Sequence, residues 1–158
     1  MSVKLIAMGN ILMKDDGIGI EVAKEIEEAL IQKGIEVIYG ETDFQYCIIK
    51  VRENDFVLVL DGAFLGEKPG TVTVMPLSRF GSNNKFYTQH SYSFLDLIQI
   101  YYPSVNGKIF AIQIKEITYD FGLSDLLQEN LKDIAKDVLS KIEIVLQERK
   151  SDYFNDFK

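Results

Sequence analysis

The sequence predicts a single α/β domain in which a twisted, mostly parallel sheet is sandwiched between helices. Strand and helix signals alternate along most of the 158 residues, the pattern of a parallel sheet with helical crossovers. Phe56-Val57-Leu58-Val59-Leu60 is apolar at every position, as a central strand covered on both faces must be. Between the first strand and the first helix lies a turn dense in glycine and aspartate, running from Gly9 to Gly19. In open α/β sheets that edge is where ligands bind.

Val3–Met8 reads as the first strand and Ile18–Gln32 as the first helix, its apolar residues recurring at helical spacing, with Gly34 as its stop. Residues 35–39 form a second strand, and 43–51 a short helix capped by Asp43. After the central strand at 56–60, Thr71-Val72-Thr73-Val74-Met75 alternates polar and apolar, an edge strand ended by Pro76. Residues 77–88, with Gly81-Ser82-Asn83-Asn84 at their centre, read as a loop. Ser91 or Ser93 caps the next helix, which Pro103 stops, and 109–114 is a further strand. Ser124 caps a final helix through about Leu146. The domain is thus expected over 1–147, with 148–158 a charged, fraying tail.

Composition narrows the function. A net charge of −7 and a pI near 4.8 argue against a nucleic-acid partner, which calls for a basic face. The single cysteine, Cys47, fits a reducing, cytoplasmic setting and a buried structural thiol. No apolar run approaches the roughly 18 residues of a membrane span, and the N-terminus lacks a signal pattern. Nothing in the sequence requires more than a monomer.

The candidate site is built from residues at three successive loops. Asp15 and Asp16 lie in the Gly9–Gly19 turn, Asp61 follows the central strand, and His90, the only histidine, precedes a helix. Each has a plainer reading. Gly9-Asn10 could be a simple turn. The paired aspartates could be solvated charges at a helix start, worth roughly 0.3–1 kcal/mol each. That does not explain Gly17 and Gly19, which cost helix stability unless backbone or substrate must approach closely. Asp61 alone could cap a turn, and a lone histidine is more often a surface residue than a ligand. Together, two carboxylates and one imidazole suit a divalent metal with positions left open. The dinucleotide glycine fingerprint, the phosphate loop, the serine elbow and the zinc-protease helix motif are all absent from the sequence.

The run Gly9-Asn10-Ile11-Leu12-Met13-Lys14-Asp15-Asp16-Gly17-Ile18-Gly19 resembles the signature Gly-Asn-x-Leu-x-x-Asp-Asp/Glu-x-x-Gly of the hydrogenase maturation proteases. Asp61 after a hydrophobic strand, and His90 followed by Ser91-Tyr92-Ser93-Phe94-Leu95-Asp96, extend the resemblance along almost the whole chain. It implies a phosphorylase/hydrolase-like fold and an endopeptidase that trims the C-terminal extension of a nickel–iron hydrogenase large-subunit precursor after metal insertion. By the same resemblance Asp16, Asp61 and His90 are both the catalytic and the metal-contacting residues. The nickel is carried by the precursor, though the same residues are open to another divalent metal in the free protein. The metal could serve as Lewis acid or as recognition handle. Ala7 stands where the family usually has glycine, Asp16 where many members have glutamate, and Gly40-Glu41-Thr42-Asp43 matches a substrate-contacting loop only loosely. A non-proteolytic metal- or partner-binding domain of the same fold is the alternative, motivated by the shorter Asp16. A flavodoxin-like nucleotide module would share the fold but lacks the phosphate-binding motifs.

Overall fold

Alternating apolar segments fold here as strands and crossover helices. The computed structural model describes the backbone of residues 2–78 and 91–155 and the side chains of 2–78 and 94–152. In chain order the elements are β1 (Val3–Met8), a 3-10 turn (Lys14–Gly17), α1 (Ile18–Gln32), β2 (Ile35–Glu41), α2 (Phe44–Lys50), β3 (Phe56–Ala63), β4 (Val72–Pro76), α3 (Ser91–Tyr101), β5 (Asn106–Gln113) and α4 (Asp125–Asn155). The five strands are ordered β2-β1-β3-β5-β4. All pairings are parallel except that of β4 with β5, which is antiparallel and places β4 at the edge.

The strands' period-2 geometry divides the core into two layers. Leu5, Leu58, Leu60, Phe110 and Ile112 face α1 and α4, where Val22, Ile26, Leu30, Val138 and Ile142 pack against them. Ile6, Val57, Val59 and Ile109 face the other way, onto Cys47 of α2 and Phe94, Leu95 and Ile98 of α3. Each fully buried aliphatic side chain of this kind contributes about 1.5–3 kcal/mol. Cys47 is the structural thiol expected: burial pushes its pKa up to about 12. No helix among the described residues is long and apolar enough to cross a membrane.

Three boundaries differ from expectation by three residues or more. β3 runs on through Ala63, because Asp61-Gly62-Ala63 stays paired with Ala111-Ile112-Gln113 of β5; Asp61 is therefore a strand residue. β5 begins at Asn106, because parallel pairing with Phe56 recruits the Asn106-Gly107 pair that locally resembles a turn. The segment expected to fray after residue 147 is helical through Asn155. No glycine or proline interrupts it, Val145 is buried, and the Arg149 guanidinium lies 4.5 Å over the Phe56 ring. Most of the loop expected over 77–88, His90, and the side chains of Ser91 and Ser93 lie outside the described residues.

Strand order also fixes where a site can form. From β1 the chain crosses to β2 on one side and then returns to β3 on the other. The crevice at the carboxyl ends of β1 and β3 is therefore the topological switch point, where open α/β sheets hold their ligands.

Candidate active site at the sheet's switch point

The 9–17 turn closes over the end of β1. Gly9, at φ +132°, occupies a region open essentially to glycine, and a Cβ there would overlap the Asp16 carbonyl oxygen. Its N–H donates to the Glu41 carbonyl (2.9 Å), tying the turn to the end of β2. The register between β1 and β2 shifts at Ala7/Met8, a bulge of the kind that redirects a chain beside a site. Gly40 and Glu41 of the loosely matching loop lie on the β2 side of this bulge. Asn10 then forms an Asx turn, its Oδ1 accepting the Leu12 N–H at 3.0 Å.

Asp16 is nearly inaccessible, and its Oδ2 accepts the Asn10 N–H at 2.9 Å. Asp61 is fully buried near the carboxyl end of β3. Since β1 and β3 are paired neighbours, with Ala7 opposite Leu60, the Asp16 turn and Asp61 belong to the same crevice. Gly19 permits this closeness: a Cβ there would lie 2.6 Å from the Leu60 carbonyl oxygen and 2.7 Å from that of Met8. The glycine is thus required by backbone, one of the two options its position allowed. His90, the third expected member, lies outside the described residues. Among the described residues no group of three His, Cys, Asp or Glu could hold a metal ion.

Asp15 overturns the reading of a solvated charge at a helix start. It is completely buried. Its Oδ1 accepts the Ser124 N–H (2.7 Å), and its Oδ2 accepts the N–H groups of Lys115 (3.1 Å) and Glu116 (3.0 Å) and the Ser124 hydroxyl (2.9 Å). Ser124, expected to cap α4, precedes the helix as predicted but turns its hydroxyl to Asp15, while its carbonyl accepts the Gln128 N–H. Beside it Lys14 pairs with Glu116 at 3.3 Å, and that hydrogen bond holds its ammonium pKa above the ordinary value.

Sequence reasoning also missed Gln113. Its Oε1 accepts the Leu65 and Glu67 N–H groups, and its Nε2 donates to the Ile114 carbonyl, which fixes the chain leaving β3 just after Asp61. A glutamine closing an apolar strand is the only local signal for it. Three exposed apolar side chains lie outside the crevice, beside the charged Lys14, Glu116 and Asp120. Backbone bonds from Asp120 N–H to the Leu12 carbonyl and from Lys14 N–H to the Asp120 carbonyl bring Leu12, Tyr119 and Phe121 together, all three exposed.

Comparisons with known proteins identify the family and the fold. A family model for hydrogenase maturation protease matches residues 20–141, a span that takes in Asp61 and His90 and begins just after the Gly9–Gly19 turn. A provisionally named hydrogenase maturation protease of Methanocaldococcus jannaschii is 24% identical over 150 residues, 92% of this chain and 95% of that protein. The fold is similar to that of the [NiFe] hydrogenase maturation protease HybD from Thermococcus kodakarensis, with a TM-score of 0.69, 22% identity and coverage of 90% of this chain and 99% of that one. It is also similar to the hydrogenase maturating endopeptidase HybD from E. coli, with a TM-score of 0.70, 18% identity and coverage of 92% and 94%. With most of its length matched by the family model and its carboxylates gathered at the switch point, the chain belongs to the hydrogenase maturation protease family.

Proposed function

We propose that this protein is an endopeptidase that removes the C-terminal extension of a nickel–iron hydrogenase large-subunit precursor once the metal has been inserted. The observation that carries the reading is the burial of Asp16 and Asp61 at the carboxyl ends of two neighbouring parallel strands. Carboxylates at the ligand edge of a parallel sheet are oxygen donors suited to a divalent cation brought by a ligand. In this reading nickel is part of the substrate. Asp16, Asp61 and His90 contact it in the docked precursor, and imidazole with carboxylate is a donor set suited to it.

Hydrolysis then needs a base for the attacking water. A carboxylate of the site takes a proton from water, the water oxygen adds to the scissile carbonyl carbon, and the C–N bond breaks as the proton passes to the departing amine. Because the nickel arrives with the precursor, cleavage in this reading is conditional on metal insertion. The exposed apolar side chains of Leu12, Tyr119 and Phe121 are where precursor backbone flanking the cut is expected to lie. A cytoplasmic monomer is the setting that accompanies this reading, consistent with a lone, buried cysteine.

Turnover tests it against the binding-domain alternative. With nickel-loaded precursor in large excess, an enzyme converts many equivalents, whereas a binder saturates at one. The His90→Ala variant is expected to abolish conversion while retaining the wild-type thermal midpoint. A variant that fails to fold would move His90 from the site to the scaffold.

A further inference from the structure

We infer that Asp15 is a positioning residue: its buried carboxylate clasps the turn that carries Asp16 to the chain between β5 and α4. The inference rests on the proposed role of Asp16 and extends it to a residue with no ligand role of its own. A carboxylate offers about four acceptor sites, and all four hydrogen bonds found at Asp15 come from residues 100 to 109 positions away. Both oxygens are engaged by scaffold donors, three on Oδ2 and one on Oδ1, and the side chain is completely buried. Of the two adjacent carboxylates, it holds and Asp16 acts.

The geometry explains why holding is needed. The turn contains backbone that does not hold itself: Lys14 is at φ +51°, a left-handed conformation that disfavours a side chain. Strain of this kind persists only where surrounding contacts over-determine it. Here Asp15 supplies those contacts together with the two backbone bonds that join Leu12 and Lys14 to Asp120. The next residue, Asp16, is seated by the Asn10 N–H on its carboxylate and by Gly9 against its carbonyl. Releasing the clasp frees this seat while leaving the two core layers untouched.

The test follows the seat directly. In Asp15→Asn one acceptor oxygen becomes an NH2 facing N–H donors. The Asn10 amide, whose hydrogen bond to Asp16 reports the seat, is expected to exchange with solvent at least about 10-fold faster, while the Val59 amide in the central strand keeps its wild-type rate. On nickel-loaded precursor, kcat is expected to fall about 100-fold with KM nearly unchanged, the signature of a reacting group displaced by about an ångström. Ser124→Ala, which removes one bond of the four, should show both effects more weakly, and Ser124→Thr should restore them. If Asp15→Asn does not fold, the serine pair decides. Unchanged Asn10 exchange, or acceleration of Asn10 and Val59 together with kcat per folded molecule intact, overturns the inference. Wild-type protein that does not cleave would refute the proposed function instead, and Asn10 exchange would still decide whether Asp15 holds the turn.

Discussion

At the amino end of the sheet, Lys4 of β1 and Asp55 beside β3 lie 2.9 Å apart and almost inaccessible. Asp55 also accepts the Ser2 hydroxyl and the Arg52 N–H, and Lys4 reaches the Lys50 carbonyl. At the carboxyl end of the same strands, the buried charged side chains among the described residues are all carboxylates: Asp15, Asp16 and Asp61. Both ends remove charge from water, which costs several kcal/mol per ion. The amino end offsets that cost within the chain, because each sign meets its opposite. The carboxyl end gathers one sign at the topological switch point. That difference marks the end where a ligand site is to be sought, and within it the four donors on Asp15 assign that carboxylate to the fold; burial alone would not have made either distinction.

The contrast can be broken most forcefully at Asp61. Asp61→Asn keeps the shape and removes the charge, so processing of nickel-loaded precursor should fall by about three orders of magnitude, roughly 4 kcal/mol in the barrier. The thermal midpoint should stay close to that of the wild type, since Asn keeps the shape of the side chain. A midpoint that drops with activity preserved would make Asp61 a structural residue. Lys4→Met should do the reverse. It strands Asp55 in a buried position and is expected to cost about 3–5 kcal/mol in denaturant unfolding, while activity per folded molecule stays at the wild-type level.

The smallest effect is the dependence of stability on acid. Burial raises the Asp55 pKa, but the hydrogen bonds from Ser2, Lys4 and Arg52 N–H and the charge of Lys4 outweigh it, so the carboxyl lies below its ordinary 3.8. A folded-state value below the unfolded one stabilises the protein above the unfolded pKa, and that contribution is lost as pH falls through the folded value. Stability measured downward from near pH 4 should therefore decline less steeply in Asp55→Asn than in wild type. Equal slopes would remove the amino-end pair from the acid response.

The sequence made the architecture largely legible because the signals for it are local. Apolar period, Gly34 as a stop and Asp43 as a cap (its side chain accepts the Tyr46 N–H at 2.8 Å) all act within a few residues. The errors fall where long-range pairing overrides local composition. Asn106-Gly107 looks like a turn until Phe56-Val57 pairs with it, and the last helical turns of α4 look polar until Arg149 meets Phe56. At the crevice, the positions of Asp16 and Asp61 were readable because both lie near ends of recognisable strands. Asp15 was not: its partners lie at 115–124, and no spacing within Gly9–Gly19 distinguishes a clasped carboxylate from an exposed one. The glycines gave the better hint, since Gly19 marks a helix start pressed onto the carbonyls of Met8 and Leu60.

In the proposed function, Asp16 and Asp61 read a metal carried by the substrate. The most direct test is the intact mass of a hydrogenase large-subunit precursor from the same organism, with and without nickel, after incubation with a small fraction of this protein. The account predicts loss of one defined C-terminal peptide from the nickel-loaded precursor alone, and no loss with Asp16→Asn. Equal cleavage of nickel-free precursor would contradict it, as would an unchanged mass for a loaded precursor that an established maturation protease can cut.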